Sequence, residues 1–61
     1  MRLGTVLRLW RKMADLTVLE AAGQIGISGP TFSRVERGGA MEPETFLKIL
    51  RWLTDQEAPH V

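Results

Sequence analysis

Four blocks of helical periodicity within 61 residues, with no alternating strand pattern between them, predict an all-α fold: a compact four-helix bundle forming one small domain. Two further observations point the same way. Each break between blocks carries a helix stop or start signal, and no cysteine is present to staple a different framework. A chain of this size hides only about 60% of the surface its unfolded form exposes, so nearly every apolar residue is needed in one core.

The first helix is read over residues 2–14, where Leu3, Leu7, Trp10 and Ala14 recur at helical spacing and Val6 and Met13 widen the stripe. Asp15-Leu16 breaks it. Thr17 followed three residues later by Glu20 forms a capping box that starts a second helix, running to about Gln24. Its buried face is Val18, Ala21, Ala22 and Ile25, and Gly26 suits the left-handed turn beyond its end. Ser28 is the next N-cap, and Pro30 fits a first helical turn because its missing N–H would have no partner there.

The third helix is therefore expected over Gly29 to Arg37, with Phe32 and Val35 inward and Thr31, Ser33 and Arg34 outward, ended by Gly38-Gly39. Pro43 opens the fourth helix, with Glu42 and Glu44 near its positive start. Phe46, Ile49, Leu50 and Leu53 are its expected buried stripe, and it ends near Thr54. Residues 1–54 thus form the expected domain, and 55–61, with Pro59 and no periodicity, read as a flexible acidic C-terminal tail.

Composition narrows the function classes. The single histidine, His60, and the absence of cysteine leave no ligand set for a metal and no redox chemistry, so no cofactor is expected. The acids occur in caps and pairs, and no nucleophile system is present, so an enzyme is not expected. No stretch approaches the roughly 18 apolar residues of a membrane span, and Met1-Arg2-Leu3 does not lead into a signal-peptide core. A soluble cytoplasmic protein is the expectation. Net charge is only +1, but residues 1–38 carry six bases against three acids, whereas residues 39–61 carry two bases against four acids. The electropositive part is the front of the chain.

The second and third helices are separated by about four residues, Ile25 to Ser28, which is helix-turn-helix spacing. A tight turn of this kind fixes the angle between helices and leaves the outer face of the third free. A helix about 10–12 Å across fits the B-DNA major groove, about 12 Å wide. An ordinary α-helical hairpin uses the same geometry, so spacing alone leaves both readings open.

The run Leu16-Thr17, Glu20, Ala22, Ile25-Gly26-Ile27-Ser28, then Phe32-Ser33-Arg34-Val35-Glu36-Arg37-Gly38 and Pro43, resembles the Cro/C1-type (XRE-like) helix-turn-helix family of phage and bacterial repressors. Leu7-Arg8, Arg11, Ile49 and Leu53 extend the match to about residues 3–54. The resemblance implies a lambda-repressor-like bundle of four or five helices that binds double-stranded operator DNA as a homodimer. By position in the motif, Ser28, Gly29, Pro30, Thr31 and Arg34 would face the bases. Arg34 has a planar fork suited to the two acceptors of a guanine edge, and Thr31 offers a hydroxyl and a methyl, whereas Gly29 and Pro30 carry no side-chain donor. Thr17, Val18, Ser33, Arg37 and Gly38 would approach the phosphate backbone, and Arg11 and Glu36 would form a structural ion pair between the first and third helices.

The sequence departs from that pattern in places. Val18 stands where relatives commonly carry glutamine. Met41, Glu42 and Glu44 occupy a segment where relatives often place bases, so affinity is expected to lean on Arg2, Arg8, Lys12 and Arg37. Ala21 replaces a larger aliphatic residue, which predicts an underfilled core unless Trp10 or Phe32 moves in. No fifth helix is read, so Leu47, Trp52 or Leu9 is a candidate dimer contact, with Trp52 equally read as a cap on the open end of the small core. The alternative on the same scaffold is a protein-interaction module, an antitoxin or adaptor that holds a partner protein through the fourth helix and the tail.

Overall fold

The computed structural model describes residues 2–55. Four α-helices follow in order: α1 (Leu3–Met13), α2 (Val18–Ile25), α3 (Gly29–Glu36) and α4 (Pro43–Asp55). No strand occurs among the described residues. The third helix is the hub, packing on both α1 and α2, while α4 packs on α2. Leu7, Ala21, Ala22, Ile25, Phe32, Val35, Ile49 and Trp52 make one core, with Phe32, Leu7, Ile49 and Val35 its largest fully buried side chains.

The first three helices end in the same way. A left-handed residue follows each one: Asp15 (φ 58), Gly26 (φ 93) and Gly38 (φ 86). The next amide then bonds back five residues, Leu16 N to Arg11 O (3.0 Å), Ile27 N to Ala22 O (3.0 Å) and Gly39 N to Arg34 O (2.8 Å). These bonds satisfy carbonyls that would otherwise lack partners and turn the chain sharply. Aspartate tolerates the left-handed region better than most residues, so Asp15 serves where glycine serves in the other two. Leu16 and Ile27 then drop back against the core as half-buried apolar residues.

The apolar stripes of α1 and α4 differ from expectation. Met13 and Ala14 are exposed, because core packing along α1 runs through Leu3, Leu7 and Trp10 and stops at the turn. On α4 the helix is rotated: Ile49 and Trp52 are buried and Leu53 half-buried, whereas Phe46 and Leu50 stay exposed. Trp52 is 5% exposed, which fits its reading as a cap on the open end of the core and not that as a dimer contact. Its indole N–H donates to Gln24 Oε1 (3.0 Å) at the end of α2, so the ring brings apolar bulk inward without stranding its donor. Asp55, expected in the tail, is the last residue of α4; the rest of that segment, His60 included, lies outside the described residues.

Gly4 is buried in the first turn of α1, and a Cβ there would strike the carbonyl oxygens of Val35 and Glu36, the latter at 2.6 Å. Both atoms belong to the backbone of α3 and have little freedom to move. The positive start of α1 thereby rests on the carbonyl end of α3. Gly4→Ala is expected to destabilise the fold by about 1–3 kcal/mol through overpacking. Gly23→Ala, at an exposed helical position where a Cβ meets nothing within 4 Å, is expected to stabilise it by up to about 1 kcal/mol. Opposite shifts of the urea midpoint would be measured, and equal shifts would contradict the close approach of α1 to α3.

Candidate nucleic-acid interface

Helix α3 is anchored by its inner face and open on its outer one. Phe32 and Val35 are buried in the core, while Pro30, Arg34 and Arg37 are exposed and Thr31 and Ser33 half-buried. Ser28 caps the helix, its Oγ accepting from the Thr31 amide (3.2 Å) and donating to Thr31 Oγ1 (2.8 Å). With its oxygen already accepting, the Thr31 hydroxyl proton is available to an outside acceptor. The exposed side of α3 thus opens with a hydroxyl pair and continues to the guanidinium of Arg34. Beside Arg34 lies a concavity of about 390 Å³ between α3 and the start of α4, lined also by Thr31, Met41, Glu42 and Thr45.

A second group of bases flanks the other side of α3. Arg8 and Arg37 line one cleft of about 260 Å³ with Ser33, Arg11 and Glu36, and Arg2 and Arg37 meet around Gly38 close by. Arg2, Arg8 and Arg37 are all exposed, so the excess positive charge of the front half collects next to α3. Lys12 is exposed but lines neither of these clefts. Glu42 and Glu44 are exposed near the start of α4, where Glu44 meets Lys48 at 3.7 Å in an ion pair too open to hold much energy.

Arg11 ties α1 to α3. Its Nε donates to Glu36 Oε2 (2.7 Å), its second terminal nitrogen to Glu36 Oε1 (3.3 Å), and its remaining nitrogen to Leu16 O (3.0 Å). The two side chains are only 14% and 10% exposed. The hydrogen bond to Glu36 raises the Arg11 pKa above the ordinary arginine value, with desolvation opposing and the carboxylate charge adding, so this guanidinium keeps its proton. A fork holding a carboxylate on one side and a carbonyl on the other fixes α3 against α1 and the turn after it.

At the start of α2 the capping box is closed in both directions: Thr17 Oγ1 accepts from Glu20 N (3.1 Å) and Glu20 Oε1 accepts from Thr17 N (2.9 Å). The Thr17 amide, expected to face a phosphate, is therefore already engaged. Val18 is half-buried against the core, and no protein acceptor among the described residues takes its amide. Gly29 is half-buried beneath Leu19, whose Cδ2 lies 2.8 Å from where a Cβ would stand. Leu19 itself is 74% exposed. Neither Leu19 nor Gly4 was marked by periodicity, since Leu19 lies off the α2 stripe and a glycine adds nothing to one.

A family model described as a helix-turn-helix domain matches residues 2–54. No curated protein and no solved structure matches the chain.

Two measurements test this geometry. Glu36→Gln is expected to cost about 1.5–3 kcal/mol, the range for a hydrogen bond to a charged group, and Arg11→Met somewhat more because it leaves a carboxylate with little water. The double variant should cost less than the sum, and strict additivity in urea unfolding would deny the coupling. The second concerns Glu20, whose pKa is lowered by the Thr17 amide and then by the Thr17 hydroxyl, against a small opposing desolvation. Its contribution to α2 is complete above the unfolded carboxyl value of about 4.3 and is lost as pH falls through the lower folded value. Carboxyl-carbon NMR should place the Glu20 midpoint below that of an unstructured glutamate, and Thr17→Ala should move it part of the way back.

Proposed function

The chain belongs to the helix-turn-helix domain family, and from that premise we propose that it is a sequence-specific, DNA-binding regulator of transcription in the cytoplasm, a repressor that occupies a palindromic operator as a homodimer. The observation that carries this reading is the two-sided character of α3, with Phe32 and Val35 sealed in the core and Arg34 exposed on the opposite face. In the groove, Arg34 reads a guanine through its two acceptors, and the Thr31 hydroxyl and the Ser28 cap meet neighbouring groups. Gly29 and Pro30 contribute closeness of approach rather than side-chain donors. Arg37, Ser33 and Gly38 lie toward the phosphates, with Arg8 and Arg2 adding charge and the Val18 amide offering a donor at the start of α2. Residues 1–54 are the binding unit.

The homodimer reading rests on α4. Leu47 is 64% exposed, and Phe46 and Leu50 flank it on the same outer side, an apolar patch that Trp52 does not join. A palindromic operator requires the pair to present its two α3 helices to successive major-groove faces, about one helical turn of DNA apart. The same patch is what a partner protein would cover if the chain were an adaptor or antitoxin. Glu42 and Glu44 repel a duplex and hold affinity down.

Two substitutions separate readout from positioning. Arg34→Ala is expected to remove about 1–3 kcal/mol of discrimination at one base position while leaving binding to other positions intact. Arg37→Ala should weaken every sequence alike and flatten the dependence of log K on log salt by about one unit. Selection from a random duplex pool, followed by salt titrations, measures both. Unchanged base preference in Arg34→Ala would remove direct readout by that residue. No saturable binding of mixed-sequence duplex at low salt and micromolar protein would move the function to the partner-protein reading.

A further inference from the structure

Resting on the reading of Arg34 as the base-contacting residue, we infer that Gly39 is its positioning residue: the bare α-carbon of Gly39 is the seat on which the arginine's aliphatic stem lies. The three helix ends form a comparison inside one molecule. In each, the residue after the left-handed position bonds back five residues, and a helix end of this kind commonly brings that residue's side chain against the residue it bonds to. After α1 and α2 the place is taken by Leu16 and Ile27, both of which turn into the core. After α3 it is taken by Gly39, which has no side chain to place.

The vacated space is filled by Arg34. A Cβ on Gly39 would stand 2.5 Å from Arg34 Cγ, 3.2 Å from Arg34 Cδ and 2.9 Å from Arg34 O. The stem therefore runs across the glycine toward the concavity lined by Met41, Glu42 and Thr45. Gly38 and Gly39 consequently do different work. Gly38 is left-handed, with φ 86, and a Cβ there meets nothing within 4 Å; Gly39 does not have a left-handed backbone, and only the room beside it is at issue. A side chain at 39 displaces the stem or the backbone carbonyl beneath it. An arginine held along one path loses less freedom when it meets a base, which favours the correct base over the others.

The test is a thermodynamic cycle of wild type, Gly39→Ala, Arg34→Ala and the double variant, with Gly23→Ala as a control for replacing a glycine elsewhere. Each protein is titrated with operator duplexes selected from a random pool and with single-base variants of them. Gly39→Ala is expected to lower discrimination at the position read by Arg34 by about 2–10-fold, the range for losing the pre-ordering of one long side chain. Binding to mixed-sequence duplex should change by less, and Gly39→Ala should have no further effect on discrimination once Arg34 is alanine. Full discrimination in a folded Gly39→Ala protein, or an equal loss on every sequence, overturns the inference.

A measurement without DNA keeps it testable should Gly39→Ala fold poorly. In the wild-type protein, nuclear Overhauser contacts are expected between the Gly39 α-protons and the γ- and δ-protons of Arg34, and their absence would also overturn it. If Arg34→Ala keeps full discrimination while those contacts are present, base readout by Arg34 fails and the seat survives only as a packing feature, which overturns the role given to Gly39 in recognition. The two failures are thus told apart.

Discussion

The contact between α1 and α3 governs what the rest of the molecule can do. A helix of eight residues has little stability of its own, since nucleation is costly and few hydrogen bonds follow it. Helix α3 persists, with one side left bare, because its other side is held at two places. At its carbonyl end Gly4 lets the start of α1 come into backbone contact, and one residue of the same turn, Glu36, is gripped by Arg11. The first contact sets distance and the second sets rotation. A nearly buried ion pair contributes little net free energy because desolvation offsets its attraction, but an error in placing it is costly, and that asymmetry makes it a device for fixing orientation.

With α3 held in this way, the treatment of helix ends decides which residues face outward. Three consecutive left-handed terminations bend the chain sharply enough that helices of 11, 8 and 8 residues fold back on one another with short connections. Two of those ends bury an apolar side chain and add to the core. At the third the equivalent place is Gly39, whose bare α-carbon leaves room for the stem of the exposed Arg34. The arrangement concentrates Arg2, Arg8 and Arg37 on one flank and Arg34 on the other, although the net charge of the whole chain is only +1.

Helix α4 stands apart in its attachment. It packs on α2 through Ile49 and Trp52, and Lys48 reaches the carbonyl of Gly26 at 3.5 Å. Its outer side leaves Leu47 largely exposed and Phe46 and Leu50 partly so, a contiguous apolar patch. Under the proposed function recognition and association would fall to different helices, so that an apolar surface for another chain would not compete with a charged surface for a polyanion.

The amino-acid sequence by itself determined the number of helices, their limits to within a residue or two, and the means by which they begin and end. Thr17 with Glu20, Ser28 with Thr31, and the glycines at 26 and 38 act through bonds spanning three to five residues, so the interacting groups are written side by side. The family resemblance added the pairing of Arg11 with Glu36, which lie 25 residues apart and carry no local signal. Only the tertiary structure decided which side of α4 turns inward. Both Phe46–Leu50 and Ile49–Trp52 are acceptable helical stripes; in the fold Ile49 and Trp52 pack into the core, where Gln24, 28 residues before Trp52, also offers its amide oxygen to the indole. It likewise decided that Gly4 meets α3 and that the stem of Arg34 crosses Gly39, because a glycine leaves no mark in a periodicity and the value of its empty space appears only when another element comes to fill it.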